Sequence, residues 1–402
     1  MAGQDLARVA PLAPADAPAV AREVAEVLAA DVVARDSAGG TPAGEVALLR
    51  GAGLLPLLVP AEHGGSGAGW ETAYDVVRTV TAVDPSIGQL LGYHYLQSWR
   101  IRLNRRADAV ARLDVAGAAG GWFWGGAGNP RDAGLELEPV DGGYLLRGTK
   151  FFATGAEVAD RITASGTRTD TGEKLSLAVD AHQDGVRHGS DWDALGQRRS
   201  ASGSITFDGA YVSEDDVLGP NEQAVPGAPA YATLHVLLFQ AMLSQLHVGI
   251  AEGALRAGAE YTRTRSRAWA TSGVAEAVQD PLVRARYGEL SARLQAAAAL
   301  TDRACADLTA AASRGWDLTA GERARVAVQI AASKVVTTDA ALEISSTVFE
   351  LTGARATKAG TGLDRYWRDA RTLTLHDPAA HKAVEVGDWL LTGTEPVPSA
   401  YS

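Results

Sequence analysis

A single cysteine, Cys305, stands in 402 residues, so no disulfide can close within the chain. It lies in an alanine-rich stretch, where a small buried side chain is the plainest reading. Positive charge is also in short supply. Against 48 Asp and Glu there are 37 Lys and Arg, a net charge of −11. Nucleic acids and anionic membranes call for a basic surface, so neither is expected as a partner. No apolar run reaches the ~18 residues of a membrane helix. The nearest, Leu234 to Ile250, is interrupted by Gln240, Gln245 and His247 and reads as a core helix. The opening residues Met1-Ala2-Gly3-Gln4-Asp5 lack the basic-then-apolar order of a signal peptide, and a cytoplasmic location is expected. There is no Walker-type loop and no GxGxxG opening a helix after a strand, which argues against Rossmann-type nucleotide binding. His63, His182, His188, His235, His247 and His381 have no metal-ligand spacing, so no metal is expected.

What is present is an ordinary globular composition, 46% hydrophobic and 21% charged, in a chain too long for one small core. The pattern changes twice along it. Residues 1–118 read as helical, with runs at Ala19–Val33, Glu45–Gly53 and Glu71–Val83, and with Asp84-Pro85-Ser86 as the start of a helix carrying Tyr93 and His94. Residues 119–226 read as strands: Leu135–Val140 and Tyr144–Phe152 flank the turn Asp141-Gly142-Gly143, with further strands at Leu175–Val179 and Ser204–Phe207. This predicts a small antiparallel barrel or sandwich. After the Pro/Gly-rich connector Gly219–Pro229, residues 227–402 read as long helices. Ala232–Arg265 is the first. Asp280-Pro281 opens the second and Gly315 closes it. Thr319 and Glu322 have capping-box spacing for the third, which Gly353 ends. A last helix runs from Asp377-Pro378 to about Leu391. The fold class is mainly α with a central β domain.

The segments Gly53-Leu54-Leu55-Pro56-Leu57-Leu58-Val59-Pro60 with His63-Gly64-Gly65, then Tyr144-Leu145-Leu146-Arg147-Gly148-Thr149-Lys150-Phe151-Phe152, then Arg368-Asp369-Ala370-Arg371, resemble in their order the acyl-CoA dehydrogenases. That resemblance implies an N-terminal helical domain, a small β domain and a C-terminal four-helix bundle. Gly92-Tyr93-His94, Asp191-Trp192 with Gly196 and Ser202-Gly203-Ser204, the run from Tyr261 to Trp269, Gly353-Ala354-Arg355 and Leu375-His376-Asp377-Pro378 are similar to dibenzothiophene monooxygenases and related sulfur-compound oxygenases. Such enzymes are homotetramers that take reduced flavin from an NAD(P)H-dependent reductase and react it with O2 through a C4a-hydroperoxyflavin.

A dehydrogenase needs a carboxylate to remove a proton beside a thioester. By the resemblance, that position falls on Asp377, one methylene shorter than the usual Glu; on residue types alone, Asp377 before Pro378 is also a natural helix cap. The alternative base position, on the first long bundle helix, falls on Phe239 or Gln240, neither of which is a base. His376 is the stronger candidate, because an imidazole can hold a proton at neutral pH, and the resemblance places the catalytic histidine there, with Tyr93 and Thr154 beside it. It also implies flavin contacts at Tyr93, Thr154 and Trp192, with Arg267 and Arg355 at the flavin phosphate across a subunit interface. The expected substrate pocket includes Gln89, Trp122, Trp124, Phe239 and Met242. Three positions depart from the dibenzothiophene enzymes: Gln89 and Leu373 where they carry histidines, and Gly126 where they carry an asparagine, with Asn129 three residues on. The expectation is a monooxygenase using reduced FMN (FAD less so) on a small hydrophobic or S- or N-containing substrate. An FAD-dependent acyl-CoA dehydrogenase with Asp377 as base is the alternative, and a non-enzymatic flavoprotein scaffold a third.

Overall fold

The computed structural model describes residues 11–222 and 227–402. The N-terminal pentapeptide and the middle of the Gly219–Pro229 connector lie outside the described residues. The first helical block comprises α1 (Ala17–Ala29), α2 (Val32–Ala38), α3 (Ala43–Gly51), α4 (Trp70–Thr81), α5 (Pro85–Arg100) and α6 (Ala107–Gly120). The run expected as one helix over Ala19–Val33 is broken at Ala30–Asp31. Arg35 of α2 turns back there and takes the Leu28 carbonyl near the end of α1 at 2.7 Å. At the head of α5 the Asp84 carboxylate accepts the Ile87 N–H at 3.2 Å, with Pro85 in the first turn. That is the cap its sequence predicts.

Eight strands follow: β1 (Trp124–Ala127), β2 (Leu135–Val140), β3 (Gly143–Lys150), β4 (Arg161–Arg168), β5 (Lys174–Asp180), β6 (Val186–His188), β7 (Ile205–Ser213) and β8 (Val217–Pro220). They form one sheet in the order β6-β7-β3-β2-β4-β5-β8, with β1 beside β4. The hairpin β2–β3 turns at Gly142, whose φ of 73° suits glycine. The sheet is not wholly antiparallel: β4 pairs in parallel with both β1 and β2.

The rest is helical: α7 (Leu234–Thr264), α8 (Pro281–Ser313), α9 (Ala320–Thr352), α10 (Asp364–Thr374) and α11 (Ala379–Thr392). Asp280 caps α8 through the Leu282 N–H at 2.9 Å. Thr319 and Glu322 close a capping box on α9, which Gly353 ends at φ 81°. α9 packs on α7, α8, α10 and α11, while α4 and α5 pack on α7. α7 is long and apolar enough to cross a membrane by composition, yet 83% of its most apolar window is buried in this packing. The corner between α10 and α11 is thereby held against α7 and α9, and the site lies there.

Candidate active site

The α10–α11 corner carries His376 and Asp377. Asp377 does not cap α11, as its place before Pro378 suggests; no side chain caps that helix. Its carboxylate turns inward instead. Lys334 of α9 donates to Oδ1 at 2.7 Å, and Gln240 of α7 donates through Nε2 to Oδ2 at 3.2 Å. The His376 Nδ1 lies 3.0 Å from Oδ1. Lys334 also donates to Gln240 Oε1 at 2.8 Å, so Lys334, Asp377 and Gln240 close a ring of polar contacts, with His376 attached to it through Asp377. The Lys334 side chain is fully buried and that of Asp377 nearly so. Burial alone would raise the Asp377 pKa, but the His376 hydrogen bond and the Lys334 charge outweigh it and hold the carboxyl well below its usual range. Burial pulls Lys334 down while Asp377 works against that fall. A carboxylate so engaged is a poor base.

With Asp377 accepting at Nδ1, the His376 Nδ1 carries hydrogen and its Nε2 is left to face outward. The ring lies tilted against Phe239, with centroids 4.8 Å apart, and Phe239 meets Tyr93 edge-on at 4.9 Å. Burial pushes the Tyr93 phenol up, against a lowering contact from Gln89 one turn earlier on α5, while the Asp377 charge raises it further. His376, Phe239, Tyr93 and Gln89 thus form one group. Met242 is packed in the α5–α7 seam, where a Cβ on Gly92 would come within 2.7 Å of its sulfur. Trp124 does not join them: its ring packs under α6 with Ile101, Leu113 and Leu218. Trp122 packs edge-on against Trp124, with Arg161 over its face. His94 also faces away. Its Nε2 lies 2.8 Å from the Leu55 carbonyl and its Nδ1 accepts the Trp124 N–H at 3.0 Å. Burial lowers it to about 4, so it is a neutral structural ring.

On the β-domain side, Thr154 and Ser202 share a hydrogen bond of 2.8 Å, and Ser202 and Ser200 another. Trp192 donates its indole N–H to the Gln197 carbonyl at 2.8 Å, with Phe152 edge-on beside it. The Gln197 N–H in turn donates to Asp369 of α10.

Residues 241–380 match the family "Acyl-CoA dehydrogenase, C-terminal domain". A probable FMNH2-dependent monooxygenase, SfnC of Pseudomonas putida, is 38% identical over 97% of this chain and 98% of its own length. The methanesulfinate monooxygenase MsuC of Pseudomonas fluorescens superposes with a TM-score of 0.91 at 38% identity, covering 96% of this chain and 99% of that one. FMN-bound TdsC, a dibenzothiophene monooxygenase of Paenibacillus sp. A11-2, does so at 0.91 and 36% identity, covering 96% and 100%. The chain belongs to the acyl-CoA dehydrogenase superfamily, among its dibenzothiophene-monooxygenase-like enzymes.

The residues suit a flavin of this superfamily. Thr154 and Ser202 offer hydroxyls, and Trp192 offers a ring beside them. Arg267 and Arg355 are exposed, and neither has a carboxylate partner among the described residues, which leaves both guanidiniums open to a phosphate. Gly126, where the resemblance to the dibenzothiophene enzymes expects an asparagine, is closed: a Cβ there would lie 2.5 Å from the Gln97 amide nitrogen. Asn129 spends both ends of its amide locally, donating to Asp132 at 2.8 Å and accepting the Arg131 N–H. Gln97, not Asn129, fills that space. Leu373 is core.

Lys334 is the residue that sequence reasoning missed. A signal existed. Ile330, Lys334, Thr337, Ala341 and Ile344 recur at helical spacing and all are buried, so the one charge on that stripe needed a partner inside.

Proposed function

We propose that this chain is the oxygenase component of a two-component, flavin-dependent monooxygenase. It would use reduced FMN from an NAD(P)H-dependent flavin reductase, together with O2, to oxygenate a small hydrophobic or S- or N-containing molecule. It would act as a cytoplasmic homotetramer, with no nucleic acid or membrane as partner. The observation that carries this reading is the Asp377 carboxylate, engaged by Lys334, Gln240 and His376. The dehydrogenase base is thereby withdrawn and an imidazole presented in its stead. The likeness to SfnC, MsuC and FMN-bound TdsC supports it.

Reduced FMN, when bound, supplies the electrons that activate O2. The chain's own residues do the remainder. Trp192 would wall the flavin ring, and Thr154 with Ser202 would offer it hydroxyl hydrogen bonds. Arg267 and Arg355 would neutralise its phosphate. Phe239, backed by Tyr93, gives the His376 ring an apolar neighbour on one side. His376 holds or delivers a proton at Nε2, with Asp377 fixing the other nitrogen.

The test is rapid mixing of the protein and reduced FMN with oxygenated buffer, followed by flavin absorbance and peroxide. Reoxidation slower than that of free reduced FMN, with peroxide withheld, is expected. Reoxidation at the free rate with full peroxide release, together with reduction of bound FAD by an acyl-CoA, would favour the dehydrogenase instead.

A further inference from the structure

We propose that Lys334, acting through Asp377 and aided by Gln240, is a positioning residue that sets the charge and the ring orientation met by the His376 imidazole. This rests on the reading of His376 as the proton-handling group of the site. Lys334 touches Asp377 Oδ1, the same oxygen that faces His376 Nδ1, at 2.7 and 3.0 Å respectively. The two cationic or potentially cationic groups therefore share one acceptor atom. Gln240 holds the other oxygen at 3.2 Å and the ammonium at 2.8 Å, so the carboxylate cannot rotate without breaking three contacts. The imidazole is thus aimed by a carboxylate that is itself aimed.

The charges follow the same logic. Lys334 and Asp377 together present His376 with a pair of no net charge. Without the ammonium, His376 would face a bare buried carboxylate, which favours imidazolium. Without the carboxylate it would face a bare ammonium, which disfavours imidazolium. The other groups around this pair are few. α7 contributes His247, kept neutral by burial and by Lys334. α11 contributes Lys382, which is paired to Glu385 at 2.9 Å. α5 contributes the Tyr93 phenol, held neutral by burial. None of the three compensates for a missing Lys334 or Asp377.

The test uses the ligand-free protein and needs neither flavin nor substrate. The His376 side chain is 37% exposed, so diethyl pyrocarbonate can acylate its neutral ring, and peptide fragmentation reads the extent at each pH. His381, exposed five residues on, is the internal reference. In Lys334→Met the midpoint for His376 is expected to rise by about one pH unit or more, and in Asp377→Asn to fall by a similar amount. In the double variant it returns close to wild type, because the net charge beside the ring is again zero. His381 stays unchanged throughout. Should Lys334→Met not fold, Asp377→Asn against the double variant carries the same comparison. Equal midpoints in all folded variants would overturn the proposal, since a purely structural ion pair would leave the ring's titration alone. Shifted midpoints support the coupling even if His376→Ala retains full monooxygenase activity; that second result would instead remove the flavin reading of His376.

Discussion

His376 is the residue on which the proposed chemistry turns. Its Nδ1 is spoken for by Asp377 at 3.0 Å, so only Nε2 can serve the flavin side. His376→Ala should lower the rate of product formation by about 100-fold, the low end of what a positioned acid or base contributes. The FMN dissociation constant should change by less than about threefold, because the stacking and phosphate groups lie elsewhere. Steady-state turnover with a reductase, alongside a binding titration, checks both halves. Unchanged turnover would remove His376 from the mechanism. His94, next to Tyr93 in the sequence, is no second candidate. Both its nitrogens are used by backbone, and burial drops it to about 4.

At the scale of elements, the loop between β6 and β7 is the piece that carries Trp192, the proposed wall of the flavin site. It is held in an unusual shape: Ser190, Gln197 and Ala201 adopt φ of 50°, 55° and 45°, a region that side chains disfavour. The loop is pinned by α10. The Gly196 N–H donates to Thr372 at 2.9 Å, and a Cβ on Gly196 would meet the Arg368 carbonyl at 2.2 Å. Gly196→Ala should therefore cost about 1–3 kcal/mol through overpacking, and it should weaken FMN binding as Trp192 moves; urea midpoints and an FMN titration read the two effects. The same junction predicts a pH dependence. Burial raises the Asp369 carboxyl to about 8, with the Gln197 N–H working against it. The folded state thus keeps a proton that the unfolded chain releases near the usual carboxylate value. Stability should fall as pH rises from about 4 to about 8, with a slope of at most about 1.4 kcal/mol per pH unit, and no further above that window. Asp369→Asn should flatten that slope in melting experiments run across the range.

These elements also mark what the sequence made legible. Caps written in local residue types were readable: Asp84, Asp280 and the Thr319–Glu322 box behave as their spacing predicts. So was the β2–β3 hairpin at Gly142. The helix α10 was not, although it carries Arg368-Asp369-Ala370-Arg371, because its many charges mask the apolar stripe. Asp377 was legible as a position but misread in role. A cap is a local act, whereas Lys334 and Gln240 reach it from 43 and 137 residues away. Trp124 fell out of the expected pocket for a similar reason: its burial under α6 depends on β1 lying parallel to β4, a pairing with no local signature.

At the scale of the whole molecule, charged contacts tie the first helical block to the β domain and to the bundle. Arg199 binds Glu45 at 2.8 Å, and Arg50 binds Asp160 at 2.8 Å. Arg368 joins α10 to Asp36. Large apolar side chains stay uncovered on α11, where Leu390 and Leu391 are about 80% exposed, a pattern that suits contact with further copies. The proposed tetramer predicts four chains per particle by light scattering, and a single chain per particle would count against a flavin site completed across subunits by Arg355. The central claim is that this fold here serves oxygenation and not dehydrogenation. Its most direct test supplies reduced FMN through a flavin reductase under isotopically labelled O2, with dibenzothiophene, methanesulfinate and indole as trial substrates. The account predicts one labelled oxygen atom per molecule of product from at least one of them. Oxygen recovered only as peroxide from every trial substrate, together with FAD reduction by an acyl-CoA, would contradict it.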